Sequence, residues 1–471
     1  MGYISAILRA SGHDVSVISP LAVGVPGFRR IKRPHMLGYH EAVLRHATAV
    51  SASSTIRRAR GWLARQQSPA TQKAQGATLD AIRAELGRGT DLLVISAYTM
   101  YRDVCRAICA EASRHGVPVL VGGPMFTSVE MTKEWLEIPG LSAVFVGEAE
   151  KYLDDILQAL CGDGRAVPGL VLPAAGQVVA AMPLVALDRI PFPDYSDFPW
   201  NRYPNRIIPM MTGRGCGWGV CTFCSDVATA AGRTFRSRSI SNVLDEMRFQ
   251  NQRHDSRLFT FLDLKLNSNP LIWHGLIDGA QGAVPGCEWT ASVHVNVNGG
   301  NGLGPSELKE ARRAGLSRIT TGLESASQNV LNMMARGTNA DSLSAFVRYA
   351  SEAGISVRMT SIIGYPGERP EDVLQTANFL SRHHDYIDRI VINRIALSPE
   401  TPLGKAIRKR PKKYPDISVS GFDLNTGLLR HDNALFRRTD HFRAVKQMLR
   451  AAHGINRKPL KGASLTFEGV M

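Results

Sequence analysis

The feature that most constrains the fold is a regular alternation of short apolar strands with amphipathic helices. In the first half, strands are predicted at 91–98, 117–123 and 143–150, and helices at 102–116, 131–138 and 151–162. Such alternation predicts a parallel, doubly wound α/β domain. Ligands of these sheets bind beyond the carboxyl ends of the strands, which here read SAYT, GGPMF and GEAE.

A second alternating series contains six strand–helix units. Its strands are predicted at 207–213, 258–267, 288–297, 317–325, 356–368 and 388–398. A full eight-unit barrel typically needs about 250 residues, so six units predict an open (β/α)6 barrel. Active sites of such barrels lie at the carboxyl ends of the strands, and a cysteine-rich loop follows the first strand.

These patterns divide the chain into four parts. Residues 166–204 contain seven prolines and are predicted to form a stiff, extended linker. We therefore predict an α/β domain at 1–165, a barrel at 205–400 and an extension at 401–471.

Positive charge is concentrated in two segments. The formal net charge is +15, with 10 basic and 2 acidic side chains in 21–80 and 15 and 5 in 401–471. We interpret these as a basic insertion, helical or partly disordered in its second part, and a basic tail. Solvated surface is favoured over an anionic substrate, carrier or peptide site. No nucleic-acid-binding motif is present, so nucleic acid is an unlikely partner.

The chain has neither a signal peptide nor an apolar run of about 18 residues. We expect a cytoplasmic protein with no membrane span.

Three of the seven cysteines fall within nine residues, in GRGCGWGVCTFCSD. Cys216, Cys221 and Cys224 have the spacing to hold a four-iron four-sulfur cluster with one iron open, which is the favoured interpretation. A zinc ion with a distant fourth ligand and a chance group of thiols are the alternatives. Cys105 and Cys109 face one side of a predicted helix and are expected to be core residues.

This loop resembles the cluster loop of radical S-adenosylmethionine (SAM) enzymes, especially of their cobalamin-binding branch. The first gap is one residue longer than the commonest spacing, C-x3-C-x2-C. Further similar segments follow in the family's order, which from the amino terminus are FRSRSISNVLDEM, TTGLESASQNVLNMMARGT, IIGYPGERPEDV and SPETPLGKA. Together they extend the resemblance over nearly the whole chain.

The resemblance assigns roles residue by residue. It implies that Cys216, Cys221 and Cys224 ligate the cluster, whose open iron is chelated by SAM. It further implies that Phe223, Gly364 and Gly367 lie near the adenine of SAM. Glu324, with Ser325 beside it, would contact the ribose. A helix-terminal charge for Glu324 and an ordinary turn for the glycines are the alternatives. Six further polar residues on the inner strands receive no role: Asp263, Lys265, His294, Asn296, Arg358 and Asn393.

By the same resemblance, residues 1–160 look like a cobalamin-binding domain. Gly122, Gly123 and Gly147 would let loops approach the corrin ring. The D-x-H-x-x-G motif that supplies a histidine to cobalt is absent, so no such lower ligand is expected.

The N-terminal domain lacks a predicted first strand. In a doubly wound domain the first strand precedes the first helix and lies inside the sheet. Here a helix at 3–11 comes first and a strand at Val15–Ser19 follows. We expect that the natural chain begins upstream of Met1, that another segment fills the slot, or that cobalamin binding is lost; the first is favoured.

The function implied is methylation of an unactivated carbon. In the family mechanism the reduced cluster cleaves SAM, the 5′-deoxyadenosyl radical abstracts hydrogen, and methylcobalamin donates the methyl group. The substrate could be a small natural product, a peptide, or a lipid-like or carrier-bound chain, and a flavodoxin or ferredoxin would supply electrons. Radical rearrangement, cyclisation or ring contraction is one alternative, and a non-catalytic cluster or zinc module binding nucleic acid is another.

Overall fold

The computed structural model describes residues 1–20, 37–51, 53, 55–56, 59, 69–162, 164–173, 177–225, 234–297 and 301–468. Its strands are β1 Leu93–Ser96, β2 Val119–Gly122, β3 Ala143–Phe145, β4 Leu170–Val171, β5 Ile207–Met210, β6 Gly213–Arg214, β7 Arg236–Ser237, β8 Leu258–Phe261, β9 Glu288–Ser292, β10 Leu316–Glu324, β11 Ser356–Ile363, β12 Arg389–Arg394, β13 Ile417–Asp423 and β14 Leu428–Asn433.

The helices cover most of the segments between these strands. They are α1 Gly2–Ala10, α2 Tyr39–Val50, α3 Pro69–Leu86, α4 Arg102–Arg114, α5 Val129–Leu136, α6 Leu153–Cys161, α7 Ile240–His254, α8 Pro270–Ala283, α9 Pro305–Arg313, α10 Gln328–Met333, α11 Ala340–Glu352, α12 Pro370–Arg382, α13 Pro402–Lys409, α14 Thr439–Asn456 and α15 Gly462–Leu465.

The N-terminal sheet has the order β1-β2-β3-β4, in which the first three strands are parallel. This confirms the predicted α/β domain. β4 pairs antiparallel with β3, so the sheet is mixed, and the predicted linker at 166–204 begins inside it. Leu170 and Val171 of the predicted linker thus belong to the sheet, and the division of the chain into four parts stays a prediction. Cys105 and Cys109 are buried in this core, as expected.

The predicted strand at Val15–Ser19 is wrong. These residues form no strand, because an extended segment needs a hydrogen-bonded neighbour and β1 does not reach it. Instead, both segments contribute to the lining of one cavity of about 2410 Å³, Val15–Ser19 and Leu92–Ala97 among its lining residues. β1 is an edge strand of the described sheet, and its free edge borders the cavity.

The second sheet confirms the six-unit prediction. Its order is β12-β11-β10-β9-β8-β5, so that neighbours in the sheet are also neighbours in the alternation, and every pair is parallel. The two end strands do not pair with each other, as expected for an open barrel. Helices α7, α8, α9, α11 and α12 pack against this sheet. Several of them begin at capping side chains, such as Ser239 for α7 and Asn339 for α11.

The C-terminal residues form part of the folded core. Val445, Met448 and Ile455 of α14 are buried in the hydrophobic cluster of the barrel, where α14 packs on α12 and β12. Part of the predicted basic insertion, including 21–36, lies outside the described residues. In the part that is described, no helix is long and apolar enough to cross a membrane.

Candidate functional site

The cysteine loop leaves the first barrel strand and returns through a short two-stranded ribbon. β6 and β7 pair antiparallel, and between them lie Cys216, Cys221 and Cys224, all half-buried. Gly215, with φ +83°, stands where a Cβ would overlap the carbonyl oxygen of Thr234 in the opposite arm. The loop therefore needs glycine there to close its ribbon.

Two neighbouring segments fix the path of the loop. The backbone N–H and hydroxyl of Thr212 both donate to the buried Asp263 carboxylate, the hydroxyl over 2.8 Å. Trp218 donates from Nε1 to the carbonyl of Ala335 over 2.8 Å, and the N–H of Thr222 donates to Met334. The thiols are consequently presented by a backbone that is held from β8 and from the segment after β10.

Charged side chains converge on the three thiols. Lys265 after β8, Glu324 at the end of β10 and Arg336 interact electrostatically with one another and with the cysteines. Burial and the charge of Arg336 lower the pKa of Lys265 to about 8. Two cations beside thiolate ligands would offset the negative charge of a bound cluster.

Glu324 has a strained backbone. Its φ of +56° lies in the left-handed region, which costs a side-chain-bearing residue about 1–2 kcal/mol. A bulge between Gly322 and Glu324 marks the same point, and a Cβ on Gly322 would overlap the Glu324 carboxylate. Burial raises the pKa of this carboxyl against the opposing charges of Arg336 and Lys265. Strain held by the surrounding fold at a strand end is typical of a functional residue.

Arg336, His294 and Trp218 form a packed group next to Glu324. Arg336 donates to Nδ1 of His294 over 2.5 Å, and the Trp218 ring stacks on the imidazole with centroids 5.3 Å apart. An arginine only donates, so Nδ1 accepts and Nε2 carries the hydrogen. Burial, then the charges of Arg336 and Lys265, lower the pKa of His294 to about 3, so that it is neutral.

For several residues predicted to contact SAM, contacts within the protein already account for the residue type at that position. Phe223 packs in an apolar cluster with Leu403 and Ile407. Ser325 is buried, with its hydroxyl accepting from Ser327 N–H. A Cβ on Gly364 would overlap the ring of Phe436, and one on Gly367 would lie 3.2 Å from the Met333 sulfur. Their cofactor contacts stay predictions.

The six polar residues left without roles separate into two groups. Asp263, Lys265 and His294 surround the cysteine loop, as described above. Arg358 pairs with Glu468 of the C-terminal segment over 2.5 Å, and Asn393 is exposed at the end of β12. Asn296 is half-buried after β9.

The N-terminal sheet presents its carboxyl edge to the cysteine loop. Arg214 of β6 contacts Glu148 at 2.9 Å and Glu150 at 2.5 Å, and Arg236 of β7 contacts Glu148 at 2.8 Å. Both carboxylates follow β3 directly, in the segment GEAE. We call these four residues the interdomain clamp.

The predicted corrin-contacting glycines lie along the same edge. A Cβ on Gly123 would overlap Ala97 O, and one on Gly147 would lie 3.0 Å from Ala181, so packing explains both. A Cβ on Gly122 would meet open space. Tyr98 and Met100, 54% and 59% exposed, follow the adjacent β1. An open glycine beside exposed apolar side chains fits a flat, largely apolar ring system.

The donor set fits a cluster better than a single ion. Among the described residues, no three His, Cys, Asp or Glu side chains are close enough together to hold one metal ion. An iron–sulfur cluster is larger and takes thiolates at separate irons, which suits three cysteines spread around one loop.

The sequence motifs predict no role for Arg336 or for the interdomain clamp. Arg336 lies in the ARGT part of a motif already identified, so its place in that motif was an available signal. No sequence pattern links Arg214 and Arg236 to Glu148, because the contact joins two domains.

The comparisons with known proteins agree with this geometry. Residues 210–380 match the model of the radical SAM superfamily. The chain is 29% identical over 306 residues to an uncharacterised methyltransferase of Pyrococcus horikoshii, with 62% of this chain and 64% of that protein covered. It thus spans a little under two thirds of that relative. Identity to the bacteriochlorophyllide d C-12(1)-methyltransferase of Chlorobaculum tepidum is 25%, with 69% and 68% covered.

With the cysteine loop and the six-stranded sheet, the match over residues 210–380 shows that the chain contains a radical SAM domain. Its fold also resembles that of the methyltransferase TsrM of Kitasatospora setae, solved with cobalamin and a [4Fe-4S] cluster. The TM-score is 0.62 at 16% identity, covering 79% of this chain and 83% of TsrM.

Proposed function

We propose that the protein is a cobalamin-dependent radical SAM methyltransferase. The observation that carries the proposal is the interdomain clamp, which holds the carboxyl edge of the N-terminal sheet against the ribbon of the cysteine loop. Two edges at which α/β folds bind ligands therefore face each other. The methyltransferase relatives and the cobalamin-bound fold neighbour support the same assignment.

Each part of the site then has a task. Cys216, Cys221 and Cys224 hold the cluster, and Lys265 and Arg336 offset its charge. Glu324 accepts hydrogen bonds from the ribose hydroxyls of SAM. When bound, the cluster with SAM supplies radical chemistry, and cobalamin supplies a transferable methyl group. The barrel excludes water and fixes the distance between these groups.

The carboxyl edge of the N-terminal sheet is the place for cobalamin. Gly122 leaves room for the ring, and Tyr98 and Met100 offer it apolar contact. The chemical class of the methylated substrate stays open between a natural product, a peptide, and a lipid-like or carrier-bound chain.

The test needs no knowledge of the substrate. The anaerobic protein is loaded with iron, sulfide and cobalamin, then given a chemical reductant and SAM with a deuterated methyl group. We expect about four irons per chain, 5′-deoxyadenosine and deuterated methylcobalamin, measured by mass spectrometry. The triple variant Cys216→Ala, Cys221→Ala, Cys224→Ala should lose the iron and both products.

The exposed Cys161 provides a matched control, since Cys161→Ala should keep the iron and both products. Iron retained in full by the triple variant would refute the cluster site. 5′-Deoxyadenosine without methylcobalamin would contradict methyl transfer and favour radical rearrangement instead.

A further inference from the structure

A strongly basic surface lies directly behind the cysteine loop. It comprises six exposed side chains within nine residues, on α13 and the turn after it, and we call it the basic ridge: Lys405, Arg408, Lys409, Arg410, Lys412 and Lys413. Only two of these have acidic neighbours within 4 Å in the described part of the chain. Lys405 lies 3.3 Å from Glu400 and Arg408 lies 3.7 Å from Glu130.

The inner face of α13 is attached to the loop that carries the thiols. The N–H of Leu403 donates to the carbonyl of Thr222 over 2.9 Å, and Thr222 stands between Cys221 and Cys224. Leu403 and Ile407 are buried, and they pack in one apolar cluster with Phe223 of the same loop. The helix therefore places its charged face outside and its apolar face against the cluster-binding segment.

The helix dipole explains only some of the basic residues in the ridge. Cations in the last turn of a helix are favoured by its dipole, which would explain Arg408 and Lys409 at the end of α13. Lys412 and Lys413 lie beyond the helix in a short 3₁₀ turn, where that effect has faded. Like charges packed this closely repel one another, which an oppositely charged partner would relieve.

We propose that the basic ridge is the docking surface for a small acidic protein that donates one electron to the cluster. The proposal rests on the proposed function, because the cysteine loop needs an electron donor only if it holds a redox-active cluster. One electron leaves the reduced centre of the donor, which is thereby oxidised by one electron. It enters the cluster, which passes from the 2+ to the 1+ state, and no atom or proton is transferred.

The charge and position of the ridge both favour this partner. Oppositely charged surfaces steer proteins into encounter and raise association rates about tenfold to a thousandfold. The helix that carries the ridge is joined to the cysteine loop by one hydrogen bond and one apolar cluster, so a protein seated there docks on the element that packs directly against the thiol-bearing segment.

The test compares two reductants on the full-length, cluster-loaded protein. The probes are titanium(III) citrate, which needs no docking site, and purified flavodoxin hydroquinone, an acidic protein that becomes the semiquinone on giving up one electron. The variant carries Lys409→Glu, Lys412→Glu and Lys413→Glu. The control carries Lys309→Glu, Arg443→Glu and Lys446→Glu, which changes the net charge equally at exposed positions on α9 and α14.

Cluster reduction is followed by electron paramagnetic resonance, and flavodoxin binding by flavin fluorescence. We expect titanium to reduce all three proteins equally, and flavodoxin to reduce the ridge variant about tenfold or more slowly than the other two. Wild-type affinity for flavodoxin should fall as salt rises from about 0.05 M to about 0.3 M, where screening shortens from about 14 Å to about 6 Å. Neutral Gln substitutions at the same three lysines should give an intermediate loss.

The remaining outcomes separate the two proposals. Normal reduction of the ridge variant by flavodoxin would overturn the docking site and leave the ridge to an anionic substrate or carrier. A wild type reduced by titanium but not by flavodoxin would overturn the docking site alone. A wild type reduced by neither would overturn the proposed function, and the docking site with it.

Discussion

At the residue scale, Glu324 combines strain, burial and convergent charge at one strand end. Its left-handed backbone is held by the Ser361 hydroxyl, which donates to the Glu324 carbonyl over 2.7 Å, and by Thr360, which donates to the carboxylate over 3.3 Å. A buried carboxylate on a strained backbone lowers the stability of the fold, so its presence indicates a function. The ribose of SAM is the ligand that the family motif implies for it.

Glu324→Gln should weaken SAM binding while leaving the iron content unchanged. Losing a charged acceptor costs about 1.5–3 kcal/mol, which is about a tenfold to a hundredfold rise in Kd by isothermal titration calorimetry. In the wild type, affinity should also fall as the pH is lowered towards the raised pKa of this carboxyl. The exposed Glu352→Gln is the control, and an unchanged Kd in Glu324→Gln would remove Glu324 from the site.

The site could be predicted from sequence only where its residues share one motif. The cysteines and Glu324 stand in local patterns, and the structure places them near one another. The contact of Trp218 with His294 and Arg336 joins residues from three segments, so no local pattern could reveal it. The family resemblance predicts corrin contacts for Gly123 and Gly147, whereas close packing of the chain already requires glycine at both positions.

At the element scale, the periodicity of apolar residues predicts where strands occur along the chain. It does not predict which neighbouring strand each one pairs with. The six barrel strands and three parallel strands of the N-terminal sheet lie where their apolar runs predicted. Val15–Ser19 has an equally apolar pattern and forms no strand. Whether a segment pairs depends on the tertiary structure, and among the described residues no strand pairs with Val15–Ser19.

The free edge of β1 should be visible in amide hydrogen exchange. β1 pairs with β2 on one side only, while β2 pairs on both sides. In a one-sided parallel strand, alternate N–H groups point away from the neighbour, and here that side borders the cavity. We expect peptides covering Leu93–Ser96 to exchange faster than those covering Val119–Gly122, measured by mass spectrometry. Equal protection would show that another segment covers the edge.

At the scale of the whole molecule, the proline-rich boundary suggests two domains joined only by a linker. The structure shows a closer connection, since Arg9 of α1 also pairs with Asp194 over 2.6 Å, between the first helix and the predicted linker. Together with the interdomain clamp, these contacts hold the sheet edge and the cysteine loop in one arrangement. A methyl transfer between two bound groups would depend on that arrangement.

Glu148→Gln should therefore destabilise the molecule more than an ordinary ion-pair loss does. Glu148 contacts two guanidinium groups and also accepts the N–H of Leu184 over 2.9 Å, and its side chain is only 18% exposed. Removing one partner of a buried pair leaves uncompensated charge, here about 2–4 kcal/mol by calorimetric melting. Glu85→Gln breaks the exposed pair with Arg88 and should cost about 0.5 kcal/mol or less.

The stability difference between wild type and Glu148→Gln should depend on pH in a direction that the pKa of Glu148 determines. Burial alone would raise the pKa of Glu148, but the hydrogen bond from Arg236 and the charge of Arg214 outweigh it, and the pKa is lowered. A carboxyl whose pKa is depressed by folding stabilises the native state above its unfolded pKa, and the contribution is lost as pH falls through the folded pKa. The gap in Tm between wild type and Glu148→Gln should therefore be full at neutral pH and shrink in acid. A gap that stays constant into acid, or one no larger than that of Glu85→Gln, would mean that the clamp does not hold the two domains together.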